Sequence, residues 1–173
     1  MDAIYHRTSI RKYQDKSVER EKIVAILRAA MQAPSAKNQQ PWEFYVVTKK
    51  ETLEALSTVS PFAGMVRYAP AAIVSAYRTE CRVPVFAQID MSIAMENLWL
   101  ETDVQGLGGV WLGIAPREDR MAAVKRIIDM PDTLRAFAIF SFGYPGEERE
   151  QQDRFDPERI HWDDPQCPPE SPF

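Results

Sequence analysis

The chain has 173 residues, of which 45 % are apolar and 27 % are charged, and its formal net charge is −4. A chain of this length can bury a hydrophobic core unaided, which excludes a small protein held together by disulfides. Its apolar runs, such as residues 69–76, are much shorter than the roughly 20 residues that a membrane helix needs. We therefore expect no membrane-spanning segment and no membrane partner.

In chain order, the hydrophobic spacing predicts helices and strands that alternate along the chain. The predicted helices span residues 17–33, 50–57, 84–105 and 117–128. The predicted strands span residues 42–48, 70–77, 108–114 and 135–142. About four strands and four or five helices indicate one domain of mixed α and β content. The 84–105 helix is apolar on more than one face, which indicates burial on several sides.

The glycine-rich residues 106–113 follow a predicted helix and lead into a predicted strand. A dinucleotide-binding fingerprint would need glycine where the chain has Trp111, and it would run from strand to helix instead. A helix C-cap followed by the start of a strand is the favoured interpretation of this segment.

After Gly143 the composition changes, since six of the thirteen prolines lie in the last 30 residues. Residues 147–173 also hold nine acids against three arginines. Phe155, Ile160 and Trp162 argue against a solvated tail, because such a tail does not need large apolar side chains. We predict a domain at residues 1–146 and an extended arm at 147–173 that packs on a second subunit.

Other residue counts restrict the function further. The segment Met1 to Arg7 contains an acid and lacks an apolar stretch, so a secretory signal is not expected and the cytoplasm is the predicted location. Cys81 and Cys167 lie far apart and the chain has only two histidines, so we predict no metal site. The role of Cys81 stays open. Without a broad basic stripe, no nucleic-acid partner is expected.

Two polar segments carry the chemistry that the sequence offers. Arg7-Thr8-Ser9-Ile10-Arg11 places two guanidinium groups and two hydroxyls within five residues, which suits one phosphate group. Residues 33–42 form a loop fixed by two prolines, and its hydroxyl and amide side chains suit the heteroatom edge of a planar ring. Each segment alone has an ordinary alternative, a solvated N-terminus or a simple connection.

Taken together, the two segments resemble the opening blocks of the nitroreductase family of FMN-dependent oxidoreductases. The resemblance continues in order through residues 90–100, 106–113, 142–145 and 154–162, so that it covers nearly the whole chain. It implies an α+β fold in which helices flank a central, mostly antiparallel sheet. It further implies an intertwined homodimer with FMN at the interface, and NADH or NADPH as co-substrate.

The resemblance also assigns cofactor-binding residues. Those expected at the phosphate and ring are Arg7, Thr8, Ser9 and Arg11, with Arg11 at the pyrimidine edge. Those expected at the ring edge, donated by the partner subunit, are Pro34, Ser35, Ala36 and Asn38. The backbone of Leu112 and Gly113 is expected near the central ring, and Arg154 is expected to close on the phosphate. Gln152 replaces a basic residue found in longer relatives, which implies a lower phosphate affinity.

The activity implied is NAD(P)H-dependent reduction of nitroaromatic, quinone or similar electron-poor acceptors by a ping-pong mechanism, with no catalytic side chain. Two alternatives remain. One is specialised flavin chemistry, such as reductive dehalogenation or an oxygen-dependent reaction. The other is a non-enzymatic flavin-binding or redox-sensing module whose pocket is closed by Phe62, Met65 or Phe86. The acceptor and the nicotinamide preference stay open, and the arginines considered for a 2′-phosphate are Arg67, Arg78, Arg82 and Arg117.

Overall fold

The computed structural model describes residues 2–163. Cys167 and the end of the predicted arm, residues 164–173, lie outside the described residues. The helices are α1 (Ala3–His6), α2 (Arg20–Met31), α3 (Lys50–Leu56), α4 (Ala87–Val104) and α5 (Glu118–Ile127). The strands are β1 (Trp42–Val47), β2 (Ala71–Arg78), β3 (Gly108–Gly113) and β4 (Leu134–Gly143).

The four strands form one sheet in the order β1-β2-β4-β3, and every neighbouring pair is antiparallel. Strands β2 and β4 lie in the middle and are almost wholly buried, whereas β1 and β3 are the two edges. The predicted α+β fold with an antiparallel sheet is confirmed. The two edges matter for function, because each carries one of the polar segments singled out in the sequence.

Helices cover both faces of the sheet. Successive side chains of a strand point to opposite faces, and accordingly Ile73 and Phe140 pack with α2 and α4, whereas Val74 and Ile139 pack with α3 and α5. Two hydrophobic clusters result, one on each side of the sheet. Within residues 2–163, no helix combines the length and apolar character required to cross a bilayer.

The helix boundaries differ from the predicted ones at two places. α2 begins at Arg20 and not at Ser17, because the chain stays extended through Glu19. There Val18 packs against the core and the Tyr144 hydroxyl donates to the Glu19 carboxylate at 2.9 Å. The predicted 84–105 helix is a 3₁₀ turn at Pro84–Phe86 followed by α4.

Candidate functional site

The N-terminal segment lies along the outer edge of β3. Ser9 forms a parallel bridge with Gly109, whose carbonyl accepts the Ile10 N–H at 3.0 Å. The buried Ile10 side chain packs directly over Gly108, where a Cβ atom would stand 2.6 Å from Ile10 Cγ1. Gly106 has φ +71° and ends α4. The glycine segment is therefore a helix end and a close-packing surface, as the sequence favoured.

Two further contacts fix this segment to the end of the sheet. The Tyr13 hydroxyl lies 3.0 Å from the carbonyl oxygens of Ile10 and Ser141. Burial raises the pKa of this phenol, although the hydrogen bond with the Ser141 side chain opposes the rise, so the hydroxyl keeps its proton and remains a donor. The carbonyls of Ile10 and Ser141 are thereby tied to one side chain.

Glu147 holds the backbone just before Tyr13. Its Oε1 accepts the N–H groups of Arg11 at 2.7 Å and of Lys12 at 3.2 Å, and Arg149 donates to its Oε2 at 3.2 Å. Burial raises the pKa of Glu147, but the hydrogen bonds from Arg11 and Arg149 outweigh it and the net pKa is lowered. The carboxylate thus binds the backbone of Arg11 while the Arg11 side chain stays exposed.

A cavity of about 900 Å³ opens beside this segment, and Arg7, Thr8, Trp99 and Asp103 contribute to its lining. The guanidinium carbon of Arg7 lies 4.2 Å from the centre of the Trp99 ring. Arg7 Nη1 and Trp99 Nε1 are buried, and neither has a hydrogen-bond partner in the part of the chain that the structure describes. A buried donor without a partner is costly, so this cavity suits a ligand with acceptor oxygens.

Asp103 does not neutralise Arg7. Its two carboxylate oxygens each lie 2.9 Å from Nδ1 of His6. No ion pair to Arg7 exists among residues 2–163. Arg7 is therefore an arginine without an acidic partner in the described residues, in a cavity that Arg149 and four acids also line: Asp103, Glu147, Glu148 and Glu150.

A second cavity, of about 480 Å³, lies at the other end of the β3 edge. Because the Gly109 carbonyl points outward to Ile10, and alternate residues of a strand point their backbone groups the same way, Trp111 and Gly113 also face the open edge. Leu112, between them, turns its backbone groups to β4, and its buried side chain joins the core. The edge thus offers backbone donors and acceptors to a planar, heteroatom-rich ligand.

Two arginines line this second cavity, and no acid does within the described residues. Arg11 donates to the Ser9 carbonyl and Arg120 to the Gly113 carbonyl, each over 3.4 Å, and neither has a carboxylate partner among residues 2–163. The apolar wall includes Phe62. The cavity is therefore cationic with an apolar side.

The proline-bounded loop lies at the opposite edge, before β1. Asp90 of α4 is 3 % exposed, and its carboxylate accepts the Ala36 N–H at 2.9 Å and Nε2 of Gln39 at 2.5 Å. The Ser35 hydroxyl oxygen accepts the Gln40 N–H at 3.0 Å. These bonds hold three residues in the left-handed region, where side chains are disfavoured: Lys37, Asn38 and Gln40.

The structure therefore divides the predicted site residues into two groups. Those around the two β3 cavities are Arg7, Thr8, Ser9, Arg11, Leu112 and Gly113. Those at the β1 edge are Pro34, Ser35, Ala36 and Asn38. Three strand spacings of about 4.8 Å separate the edges by roughly 14 Å, and no residue of the loop lines either cavity. Arg154 lies on the arm, lines neither cavity, and donates to Gln152 over 3.5 Å.

Other arginines are engaged elsewhere. Those considered for a 2′-phosphate donate to protein acceptors and line neither β3 cavity: Arg67, Arg78, Arg82 and Arg117. Phe62 and Met65 do line the second cavity, whereas Phe86 precedes α4 and does not. Sequence reasoning missed Arg120, Asp90 and Glu147, because only the folded chain brings them to these segments.

Known proteins resemble this chain in both sequence and fold. The family model described as "Nitroreductase family" matches residues 4–73 and 61–144. A Methanothermobacter thermautotrophicus protein named "Putative NADH dehydrogenase/NAD(P)H nitroreductase" is 43 % identical over 162 residues, which cover 93 % of this chain and 85 % of that protein.

Solved structures are also similar to this chain in fold and sequence. A "Putative NADH Oxidase" from Clostridium acetobutylicum has a TM-score of 0.91 and 44 % identity, with 94 % of this chain and 99 % of that chain covered. An "FMN-dependent Nitroreductase" from Clostridium difficile has a TM-score of 0.88 and 32 % identity, with 94 % of this chain and 98 % of that chain covered. With both its sequence and its fold matched over nearly their whole length, the chain belongs to the nitroreductase family.

Proposed function

We propose that the protein reduces nitroaromatic, quinone or similar electron-poor acceptors by a ping-pong mechanism in which NAD(P)H and the acceptor occupy one site in turn. The family and the names of its relatives support the coarser statement that the chain is an FMN-dependent oxidoreductase using NAD(P)H. The observation that carries the proposal is the second cavity at the β3 edge, whose two arginines have no acidic partner in the described residues and which has open backbone groups.

The residues present fit FMN. Its phosphate suits the first cavity, where Arg7 has a buried nitrogen without a partner in the described chain. Its ring suits the second cavity, where Trp111 and Gly113 offer backbone groups and a Cβ at Gly113 would meet nothing within 4 Å. When bound, FMN supplies the hydride and electron transfer.

The protein's own contribution is to bind, orient and polarise. Arg11 places a positive charge at the ring cavity, where it would stabilise negative charge that develops on a reduced ring. Phe62 and Met65 give one wall an apolar surface. The second cavity has no Asp, Glu, His, Cys or Lys in its described lining, so the proposal includes no catalytic side chain and leaves proton supply to solvent.

We further propose that the protein is a homodimer. The outward face of α4 and the turn before it expose an apolar stripe whose members are each more than a third exposed: Phe86, Ile89, Ile93 and Val104. An exposed apolar stripe of this kind marks an interaction surface. The β1-edge loop lies far from the β3 cavities of its own chain, so a second copy would be the source of its ring-edge contacts.

The predicted arm supports the same assembly. Residues 147–163 contain one short 3₁₀ turn, Pro157–Arg159, and their large apolar side chains are exposed. These side chains are Phe155, Ile160 and Trp162. Glu147 is bonded to its own chain at Arg11 and Lys12, so the proposed packing on the partner subunit concerns the arm beyond it. Such packing would bury these side chains and would move Arg154 to the partner's phosphate site. A cytoplasmic location also stays a prediction.

The first test is the visible spectrum of the purified protein, followed by heat release and identification of its chromophore. We expect FMN near one per chain, fast bleaching on anaerobic mixing with NADH or NADPH, and recovery with nitro or quinone acceptors. Phe62 is 71 % exposed at the cavity, which favours an open pocket. Bound flavin that never bleaches would indicate a non-enzymatic module, and turnover with halogenated or oxygen acceptors alone would indicate specialised chemistry. A chain that refuses added FMN would overturn the proposal.

A further inference from the structure

We propose that Arg120 recognises a negative charge on the acceptor, so that the preferred acceptors are planar aromatic anions such as nitroaromatic carboxylates. This inference rests on the proposed function and names the substrate class of that same site. Arg120 lies in the first turn of α5. It lines the second cavity, where the flavin ring is proposed to bind, together with the apolar Phe62 and Met65.

Among the described residues, no acid forms an ion pair with Arg120. Its two acidic neighbours pair with other arginines, Glu118 with Arg135 and Asp119 with Arg117. The only side-chain hydrogen bond of Arg120 in the described chain is the 3.4 Å contact with the Gly113 carbonyl, which engages one of the five guanidinium N–H donors. The remaining donors are free for a ligand.

The position of Arg120 separates its role from that of Arg11. Arg11 belongs to the N-terminal segment, which also supplies Arg7 to the first cavity. Arg120 comes from a different helix and reaches the cavity at Gly113, the far end of the β3 edge. If Arg11 contacts FMN, as proposed, then Arg120 is the other arginine of this cavity and is available to contact the electron acceptor.

The location also favours a small anion over the phosphates of a dinucleotide. Because Nη1 of Arg120 is 3.4 Å from the Gly113 carbonyl, the guanidinium lies at the end of the β3 edge where the flavin ring is proposed to bind. A carboxylate attached directly to an aromatic ring would reach it while the ring lies against apolar side chains. Arginine binds carboxylates with two parallel hydrogen bonds, which gives both affinity and orientation.

The test compares matched ligands on the FMN-loaded, oxidised protein. Benzoate and benzamide, which have the same shape and differ in charge, are titrated while the flavin absorbance is followed. We expect Arg120→Gln to weaken benzoate binding about tenfold and to leave benzamide binding unchanged, with Arg120→Lys in between. The control is Arg126→Gln, an exposed arginine in the last turn of the same helix that lines neither cavity.

Turnover gives the second readout. The ratio of kcat/KM for 4-nitrobenzoate to that for 4-nitrobenzamide should fall about tenfold in Arg120→Gln and stay constant in Arg126→Gln. Equal losses for both acceptors, or no loss, would overturn the inference. So would a change confined to the KM for NADPH, which would assign Arg120 to the dinucleotide. Failure of the proposed function itself would show separately, as absence of flavin or of turnover with the neutral acceptor.

Discussion

The polar residues at the two edges of the sheet differ in whether their charged and hydrogen-bonding groups have partners within the described chain. At the β3 edge, Arg7, Arg11 and Arg120 face cavities with no carboxylate partner in the described chain. At the β1 edge, the loop before the strand is held by hydrogen bonds within its own chain, with Asp90 as their centre. Donors that lack partners are typical of a site that awaits a ligand, and donors that are satisfied are typical of a support.

The comparison indicates that the two edges have different roles. The β3 edge supplies charge and open backbone groups, and the β1 loop supplies a rigid surface that can be presented to another molecule. In one chain the two edge strands that carry these parts, β1 and β3, lie roughly 14 Å apart across the sheet. If both serve one FMN, the loop has to come from a second copy, and the experiments below test that relation.

The largest effect is expected from mixing two defective subunits. Arg7→Ala/Arg11→Ala removes two of the three arginines of the β3 edge and leaves Arg120. Ser35→Asp/Asn38→Asp adds negative charge to the loop while keeping the oxygen acceptors that Gln40 uses. We expect each homodimer to lose FMN. A mixed dimer would regain one intact site, because one chain has an unaltered β3 edge and the other an unaltered loop.

The measurement uses co-expression with two different tags, purification through both, and flavin absorbance per dimer. We expect about one FMN per mixed dimer and none in either parent. The unaltered chain carrying both tags is the control for the purification. A flavin-free mixed dimer would mean that both parts act within one chain or that the loop does not bind flavin.

A smaller effect, on stability, is expected at the support of the loop. Asp90→Ala leaves the Ala36 N–H and the Gln39 amide without their buried acceptor. We expect the free energy of unfolding to fall by about 3 kcal/mol. Urea unfolding at fixed protein concentration measures it. Ser92→Ala, an exposed position on the same helix, is the control and should change stability by less than about 0.5 kcal/mol. An equal, small change in both would show that the loop does not depend on Asp90.

Much of this arrangement is readable from the sequence. Apolar spacing locates the four strands and the long helices, because these elements bury one or both faces. The N-terminal arginines and the proline-bounded loop are recognisable by residue type, and the resemblance links them to one cofactor. α1, at Ala3–His6, escapes prediction because four residues are too few to show a helical period.

The rest depends on contacts between distant parts of the chain. Arg120 follows two acids in the first turn of a helix and has the appearance of an ordinary solvated residue. Asp90 stands near the start of α4, where an acid is expected for the helix dipole alone. Glu147 is one of nine acids in the C-terminal segment. Only the fold shows that they meet Gly113, Ala36 and Arg11.

The smallest effect is expected at the anchor of the β3 edge, and it depends on pH. Glu147 is the carboxylate that holds the backbone N–H of Arg11, and its side chain is 13 % exposed. Its pKa is lowered in the folded protein, because the hydrogen bonds from Arg11 and Arg149 outweigh the opposing effect of burial. A lowered pKa stabilises the fold at pH values above the unfolded value of about 4.3, and this stabilisation is lost as the pH falls through the folded value.

We therefore expect Glu147→Gln to lower stability by about 1 kcal/mol at pH 7, with the difference shrinking as the pH falls below about 4.3. Thermal unfolding at a series of pH values measures it. Glu148→Gln is the matched control, since Glu148 is exposed and makes no side-chain hydrogen bond in the described chain. A difference that is constant with pH would show that Glu147 acts by shape and not by charge. The β3 edge would then be held by Ile10 on Gly108 and by Tyr13, without an ionic anchor.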